Sequence, residues 1–366
     1  MRLFYDGYIY DAQRVGGVIR YFSNIIERLP EDWKPTLHVE NTSNQNLPQH
    51  PQLSVQEYRR FKFQPIKLSN WCDALMLNYM HSHDKFDIIH PTYYFLQAGS
   101  YIQKFRKPVV ITVHDLTHEI YASEMDRDGV HARLVRNALK RADEIICISE
   151  STRCDLLQYY PFVAGKETVI HIAGSLPIPQ VWDLSIVPDH PYLLYVGRRE
   201  SYKNFNRLLM AFSKVAELWK DICLCVVGPP FTDSESAKLT ELGFVDKIIH
   251  YLNVTDAHLA NLYHFSAAYI YPSLNEGFGI PPLEAMNCGS LVLASNASCI
   301  PEVVGDGGLL FDPYSIDELV ATILEIRDMP AADRLKYLQR GFAQAKLFSW
   351  DRTAEKTVGL YRKAIS

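Results

Sequence analysis

Short apolar runs flanked by polar residues alternate along the chain with longer segments in which apolar residues recur at helical spacing, a pattern that predicts alternating strands and helices. In the first half, Arg2–Tyr5, Asp87–His90, Val109–Val113, Glu144–Ile148 and Thr168–Ile172 read as strands, and Gly17–Leu29, Gly129–Arg141 and Glu150–Tyr159 as helices. The segment from Asn41 to Gln56, dense in Asn, Gln and Pro, reads as a mobile loop. The alternation stops at Pro177-Ile178-Pro179-Gln180 and Val187-Pro188-Asp189-His190-Pro191, which can continue neither a helix nor a central strand. It then restarts with strands Tyr192–Val196, Ile222–Val227, Lys247–Tyr251, Ala268–Tyr271 and Leu291–Ala294. Helices Asn204–Trp219, Asp256–His264, Ser315–Asp328 and one opening at Pro281 lie among and after them, and a last helix covers about Asp351–Ala364. Such alternation favours an α/β chain of two domains, residues 1–183 and 184–350, each a parallel sheet with helices on both faces, with a hinge near residues 178–190. Ligands of open α/β sheets bind beyond the carboxyl ends of the strands, so two such domains facing each other would enclose a cleft.

The candidate chemistry sits in the loops that leave the strands. Ala267–Tyr271 runs into Pro272-Ser273-Leu274-Asn275-Glu276-Gly277-Phe278-Gly279-Ile280-Pro281-Pro282-Leu283-Glu284. Two carboxylates, Glu276 and Glu284, bracket a glycine loop and a Pro-Pro helix start, and the N–H groups around Phe278, Gly279 and Ile280 can hold an anion. Acids beside an anion are tolerated when their oxygens take neutral donors such as sugar hydroxyls. A ligand with a charged middle and hydroxyl-bearing ends, a nucleotide-sugar, meets both conditions; the plainer reading is a helix cap with two surface acids.

A second loop, Gly197-Arg198-Arg199-Glu200-Ser201-Tyr202-Lys203-Asn204, leaves the first strand of the second half. Asn204 is placed to cap the next helix, which puts Arg198 and Lys203 at a helix N-terminus, while Arg199 reads as a bystander. Arg offers a fork to phosphate oxygens and Lys a point charge. Cations placed where a diphosphate departs stabilise the transition state more than the ground state. Gly16-Gly17 opens a helix after the first strand, where backbone can approach a ligand. His114 ends the strand Val109–Val113, within reach of a sugar hydroxyl if the site lies there. A simple turn and a core or capping histidine are the competing readings of these two.

The Glu276-to-Glu284 spacing resembles the acid-x7-acid motif of the retaining glycosyltransferases of family 4. The likeness continues through Cys288–Asn296, Ile300–Gly308, Phe4-Tyr5-Asp6-Gly7 and Gly16-Gly17-Val18-Ile19-Arg20-Tyr21, and so covers nearly the whole chain. It implies the GT-B fold, a first domain that receives the acceptor, a second that holds the donor, and a final helix, residues 351–366, crossing back to the first. It also implies a retaining hexosyltransferase that uses a UDP- or GDP-sugar, with UDP-glucose leaned on slightly over GDP-mannose. The acceptor is expected to be a glycan or a lipid-linked sugar of an envelope polysaccharide or glycolipid. By the same resemblance, Arg198 and Lys203 act on the diphosphate, Glu284 on the ribose, and Glu276 with the Phe278-Gly279-Ile280 backbone on the sugar. Tyr251 and Leu252 would line the base site, and Gly16, Gly17 and His114 would serve from the first domain. The departing phosphate itself takes the acceptor proton, so no general base is assigned. Gly228-Pro229-Pro230 departs from the family's glycine-rich turn and puts the local geometry of the base site in question.

Bulk properties exclude other classes. The 366 residues exceed a usual single core. A net charge of −5 argues against a general nucleic-acid binder. No apolar run approaches the roughly 20 residues of a membrane span, and Asp6 and Asp11 interrupt any signal-peptide pattern, so a cytoplasmic location is expected. Basic residues at Arg59, Arg60, Lys62 and Lys67, and at Arg133, Arg136, Lys140 and Arg141, suit either a solvated face or peripheral contact with an anionic membrane at its inner face. The seven cysteines form no CxxC pair and read as buried free thiols. No metal or other cofactor is expected: Asp126-Arg127-Asp128 precedes a helix and reads as a cap, and His81-x-His83-Asp84 as a solvated loop. The alternatives are a nucleotide-sugar epimerase, a sugar phosphorylase of the same architecture, and a non-catalytic two-lobed sugar-binding protein. A nicotinamide enzyme is disfavoured because no GxGxxG follows the first strand.

Overall fold

The computed structural model describes residues 1–13, 16–40, 47–57, 61, 63–65, 68–69, 71–73, 75, 86–94, 106–174 and 176–366. The basic residues Arg59, Arg60, Lys62 and Lys67 and the His81-His83-Asp84 group lie outside the described residues. The chain divides into two compact units, one of Met1–Ile172 with Trp350–Ser366 and one of Ala173–Ser349.

In the first unit, β1 (Arg2–Tyr5) pairs in parallel with β2 (Lys34–Val39) and β4 (Ile88–Ile89), and β3 (Ser54–Glu57) flanks β2. A parallel bridge from Ile89 to Val109 leads to β5 (Val110–Val113), β6 (Glu144–Cys147) and β7 (Glu167–Val169). The strands therefore run in the order β3-β2-β1-β4-β5-β6-β7, reversing direction of growth between β1 and β4. Two of these strands escape the periodicity. Pro35 interrupts the strand pattern of β2, and β3, largely exposed, replaces the end of the expected Asn41–Gln56 loop because it pairs with β2 and not because it is apolar.

The helix Trp350–Ile365 packs into the first unit through a buried polar chain. The Tyr361 hydroxyl meets Tyr5 Oη at 3.1 Å and His90 Nδ1 at 2.5 Å. His90 Nε2 reaches Thr112 Oγ1 at 2.9 Å, which Tyr21 Oη meets at 3.0 Å. Burial, with His114 nearby, pulls the His90 pKa down to about 3, so the ring is neutral in the folded protein.

The second unit carries six parallel strands: β8 (Tyr192–Val196), β9 (Cys223–Val227), β10 (Ile248–Tyr251), β11 (Ala268–Tyr271), β12 (Val292–Ser295) and β13 (Gly308–Phe311). Their order, β10-β9-β8-β11-β12-β13, is that of a Rossmann sheet with its switch point between β8 and β11. Leu193, Leu224, Ile270 and Leu293 from the strands pack with Leu208, Phe212, Leu319 and Ile323 from the helices Phe205–Leu218 and Ile316–Asp328. Helices Asp233–Leu242, Ile300–Val304 and Ala331–Ala345 and strand β13 were not anticipated; a capping box of Thr232 and Glu235 starts the first. The segment read as a hinge is fastened to the helix Asp256–Phe265. Asp183 N donates to Asn261 Oδ1 at 2.7 Å, His258 Nε2 meets Ile186 O at 2.8 Å, and the Trp182 and His264 rings stack at 3.8 Å.

All seven cysteines are free, but Cys154 is exposed and Cys72 and Cys223 only half-buried, which corrects the expectation that all are buried. Asp126 caps the helix Val130–Arg141 by accepting from His131 N and Ala132 N, both at 2.9 Å. Among the described residues no helix is long and apolar enough to cross a membrane, and no three metal-ligating side chains come together.

Candidate active site

The loops after β8 and β11 leave adjacent strands on either side of the second unit's switch point, the place where such sheets leave a crevice. Topology thereby joins two motifs far apart in sequence. Lys203 Nζ donates to both oxygens of Glu276, at 2.8 and 2.9 Å, with side chains 21% and 11% exposed. Burial alone would lower the Lys203 pKa, but the Glu276 charge and hydrogen bond outweigh it and hold the ammonium above its ordinary value. Lys203 Nζ also lies 5.0 Å from the Tyr202 ring. Burial pushes the Tyr271 phenol up, and Glu276 adds to that rise.

The two loops are bound to each other by main chain and by Asn204. Leu274 N donates to Tyr202 O at 2.7 Å. Asn204 Nδ2 donates to Pro272 O at 3.0 Å and to Pro313 O at 2.8 Å. Asn204 does occupy the N-cap position, but in a left-handed conformation and with no capping hydrogen bond, so the expected cap is instead a tie between loops. From the loop after β12, Ser298 Oγ donates to Glu276 O at 2.8 Å and Cys299 Sγ reaches Glu276 O and Phe278 O at 3.1 and 2.9 Å. Sequence reading missed Asn204, Ser298 and Cys299 in these roles. The signal for the last two was a run of small polar residues after a strand.

Gly279 has φ 111°, a value that favours glycine, and starts the helix Ile280–Asn287. Its first turn holds Pro281 and Pro282, which lack N–H groups, so the anion-binding capacity of this helix end is narrower than the motif suggested. Glu284 is buried in the same helix, 5% exposed.

Arg198 departs from expectation. Its side chain is 80% exposed and its ion partner, at 3.6 Å, is Glu200, while Lys203 alone pairs with Glu276. Arg199 is no surface bystander. Its side chain is 4% exposed, bonded to Glu235 at 2.6 Å and to the Pro229 and Pro230 carbonyls, with Phe231 beneath it at 4.6 Å. It thereby shapes the Gly228-Pro229-Pro230 turn. A Cβ on Gly228 would lie 2.4 Å from Gly197 O, so only glycine lets the exits of β8 and β9 approach this closely. Beyond that turn lies a concave site of about 480 Å³, lined by Val227, Gly228, Pro229, Pro230, Leu252, Asn253 and Val254. Leu252 thus lines the cavity, whereas Tyr251 ends β10 with its ring against His258 at 5.2 Å.

In the first unit, Gly16 and Gly17 form the start of the helix Gly17–Glu27, which has no side-chain cap. Gly16 is in an extended conformation that any residue adopts. His114 follows β5 and packs edge-on against Tyr21 at 5.2 Å, and burial pulls its pKa down to about 4 despite Asp115. Its Nε2 is buried and has no hydrogen-bond partner.

Comparison with known proteins places the chain in a family. Residues 180–341 match the family described as Glycosyl transferases group 1, and residues 15–173 match Glycosyltransferase Family 4. Over 269 residues, 69% of this chain and 70% of the relative, it is 32% identical to the O-antigen chain mannosyltransferase B of Escherichia coli. The chain is a family-4 glycosyltransferase. This glycosyltransferase is also 27% identical to the MMP alpha-(1->4)-mannosyltransferase of Mycolicibacterium hassiacum, over 77% of its own length and 71% of that protein's. Sucrose-phosphate synthase of Thermosynechococcus elongatus superposes with a TM-score of 0.78 at 20% identity, covering 99% of this chain and 98% of that one. That likeness shows the fold, GT-B, with two Rossmann-like domains.

Proposed function

We propose that this glycosyltransferase moves a hexose, with retention at the anomeric carbon, from a nucleoside-diphosphate-sugar to a glycan or lipid-linked acceptor, and that the hexose is mannose. The observation that carries this reading is the Lys203–Glu276 pair at the switch point of the second unit. Lys203 meets the donor diphosphate there, and Glu276 accepts from a sugar hydroxyl. The exposed Arg198 is free to close on a phosphate by leaving Glu200, an exchange of one exposed partner that costs little. Phe278, Gly279 and Ile280 border the sugar, Glu284 takes the ribose, and Leu252 with the end of β10 at Tyr251 borders the base. In the first unit, Gly16, Gly17 and His114 receive the acceptor.

In the reaction, the bond from the anomeric carbon to the diphosphate breaks and a bond to the acceptor oxygen forms on the same face. The acceptor proton passes to the departing phosphate oxygen, and the negative charge that grows on the diphosphate is met by Lys203 and Arg198. The residues gave no preference between sugars; the names of the two mannosyltransferase relatives support mannose over the glucose leaned on from sequence alone. As part of the same proposal the enzyme works in envelope polysaccharide or glycolipid synthesis at the inner face of the membrane; the name of the O-antigen relative supports the polysaccharide role.

Calorimetric titration with GDP-mannose, UDP-glucose and the free nucleoside diphosphates tests this. Lys203→Ala is expected to weaken the preferred nucleotide about 10- to 100-fold, the loss of one charged hydrogen bond. Glu276→Ala should keep nucleotide affinity and lose the preference for the sugar-bearing form. Unchanged binding in both variants would overturn the assignment, and turnover without net nucleotide release would point to an epimerase.

A further inference from the structure

The first unit has a switch point of its own, between β1 and β4, and a buried acid stands at it. Asp6 follows β1 directly and is 2% exposed. Its Oδ1 accepts from Thr92 N at 2.7 Å and Thr92 Oγ1 at 2.8 Å, and Thr92 lies just beyond β4. Asp6 thus joins the exits of the two strands that diverge there. Its Oδ2 is buried and accepts no hydrogen bond of good geometry, the Tyr8 N–H approaching the carboxyl only loosely. A carboxylate oxygen hidden from water and left unbonded costs about 1–3 kcal/mol or more, and at the end of diverging strands it is the kind of atom that a ligand hydroxyl would satisfy. His114 Nε2, another buried atom without a partner, lies past the end of β5, which follows β4 in the strand order.

We propose that Asp6 determines acceptor specificity, its Oδ2 taking a hydrogen bond from a hydroxyl of a neutral sugar held at the switch point of the first unit. This rests on the reading that the first unit receives the acceptor. The chemistry selects hydroxyls over anions. A phosphate or carboxylate brought against the buried acid would meet like charge, and the neutral imidazole of His114 offers no compensating cation. Burial raises the Asp6 pKa to about 7, opposed by the Thr92 and Tyr8 hydrogen bonds and assisted by the Asp11 charge. The carboxyl can therefore meet a hydroxyl as acceptor or, while protonated, as donor.

Methyl α-D-mannoside, with methyl α-D-glucoside as a second probe, is titrated into wild type and Asp6→Asn while hydrolysis of the donor to water is followed separately. Asparagine keeps an oxygen for Thr92 and replaces Oδ2 by a donor. The expected result is saturable millimolar binding to wild type, weakened at least tenfold in Asp6→Asn, with donor hydrolysis and donor affinity unchanged. Equal affinity of the two proteins, or no saturable binding of either probe to wild type, overturns the role of Asp6. Loss of fold is read from the melting curve of Asp6→Asn, and Thr92→Val then serves as the second variant: it removes one of the two bonds to Oδ1 but keeps Oδ2, so it should bind the probe as wild type does. Absence of donor binding and hydrolysis in wild type would instead defeat the transferase reading, whatever Asp6 does.

Discussion

Truncating Asn204 tests whether the two site loops are held by one buried amide. The side chain is 5% exposed and donates to Pro272 O and Pro313 O, while its oxygen accepts from Arg207 Nη1 at 2.8 Å. Removing it strips the donor from two carbonyls, at about 1–3 kcal/mol for each buried group left unsatisfied. The backbone is left-handed, with φ 60° and ψ 24°, which adds roughly 1 kcal/mol for alanine and little for glycine. Asn204→Gly is therefore expected to lose about 2–6 kcal/mol and Asn204→Ala about 1 kcal/mol more. In a unit of this size, each kcal/mol lowers the melting temperature by about 2–4 °C. Differential scanning calorimetry reads both, and donor titration should show weakened affinity, since Pro272 leads directly to Glu276. A melting temperature for Asn204→Ala within about 1 °C of wild type would refute the tie.

Burial raises the folded pKa of Asp6 above its unfolded value of 3.8, so its protonation stabilises the fold fully below that value and the contribution is lost as pH rises through about 7. Wild type should accordingly lose about 1.4 kcal/mol relative to Asp6→Asn between pH 6 and pH 8 in urea melts, and a flat difference would contradict the burial argument. Gly228→Ala sets a Cβ against Gly197 O, and the forced backbone shift should cost about 1–3 kcal/mol and weaken nucleotide binding; a variant as stable as wild type would show that the β8 and β9 exits are not so tightly apposed. Tyr361→Phe leaves His90 Nδ1 without its partner, and about 1–3 kcal/mol of stability should go with it. Faster exchange of amides in the helix Trp350–Ile365 is the accompanying sign, and unaltered exchange would argue against the network as its anchor.

The chain's own order of residues determined what depends on near neighbours. Short continuous apolar runs placed β1, β8 and β11 within their observed bounds, because strands of a parallel sheet covered on both faces need no polar alternation, and the helix Glu150–Tyr159 begins where Ser149 caps it. The glycine and proline punctuation marked the loops around Glu276 and Lys203, since those residues restrict the backbone wherever they stand. Tertiary structure decided what depends on partners. β3 exists by pairing with β2, with no apolar pattern of its own. Arg199 became a buried clamp because Glu235 arrives from another element, while its neighbour Arg198 stayed in solvent. The union of Lys203 with Glu276, 73 residues apart, follows from strand order at the switch point, and that of Asn204 with Pro313, 109 apart, from the packing of the helices Phe205–Leu218 and Ile316–Asp328. Spacing along a chain encodes which face a residue presents, but not which distant loop meets it; that is settled only when the sheet assembles.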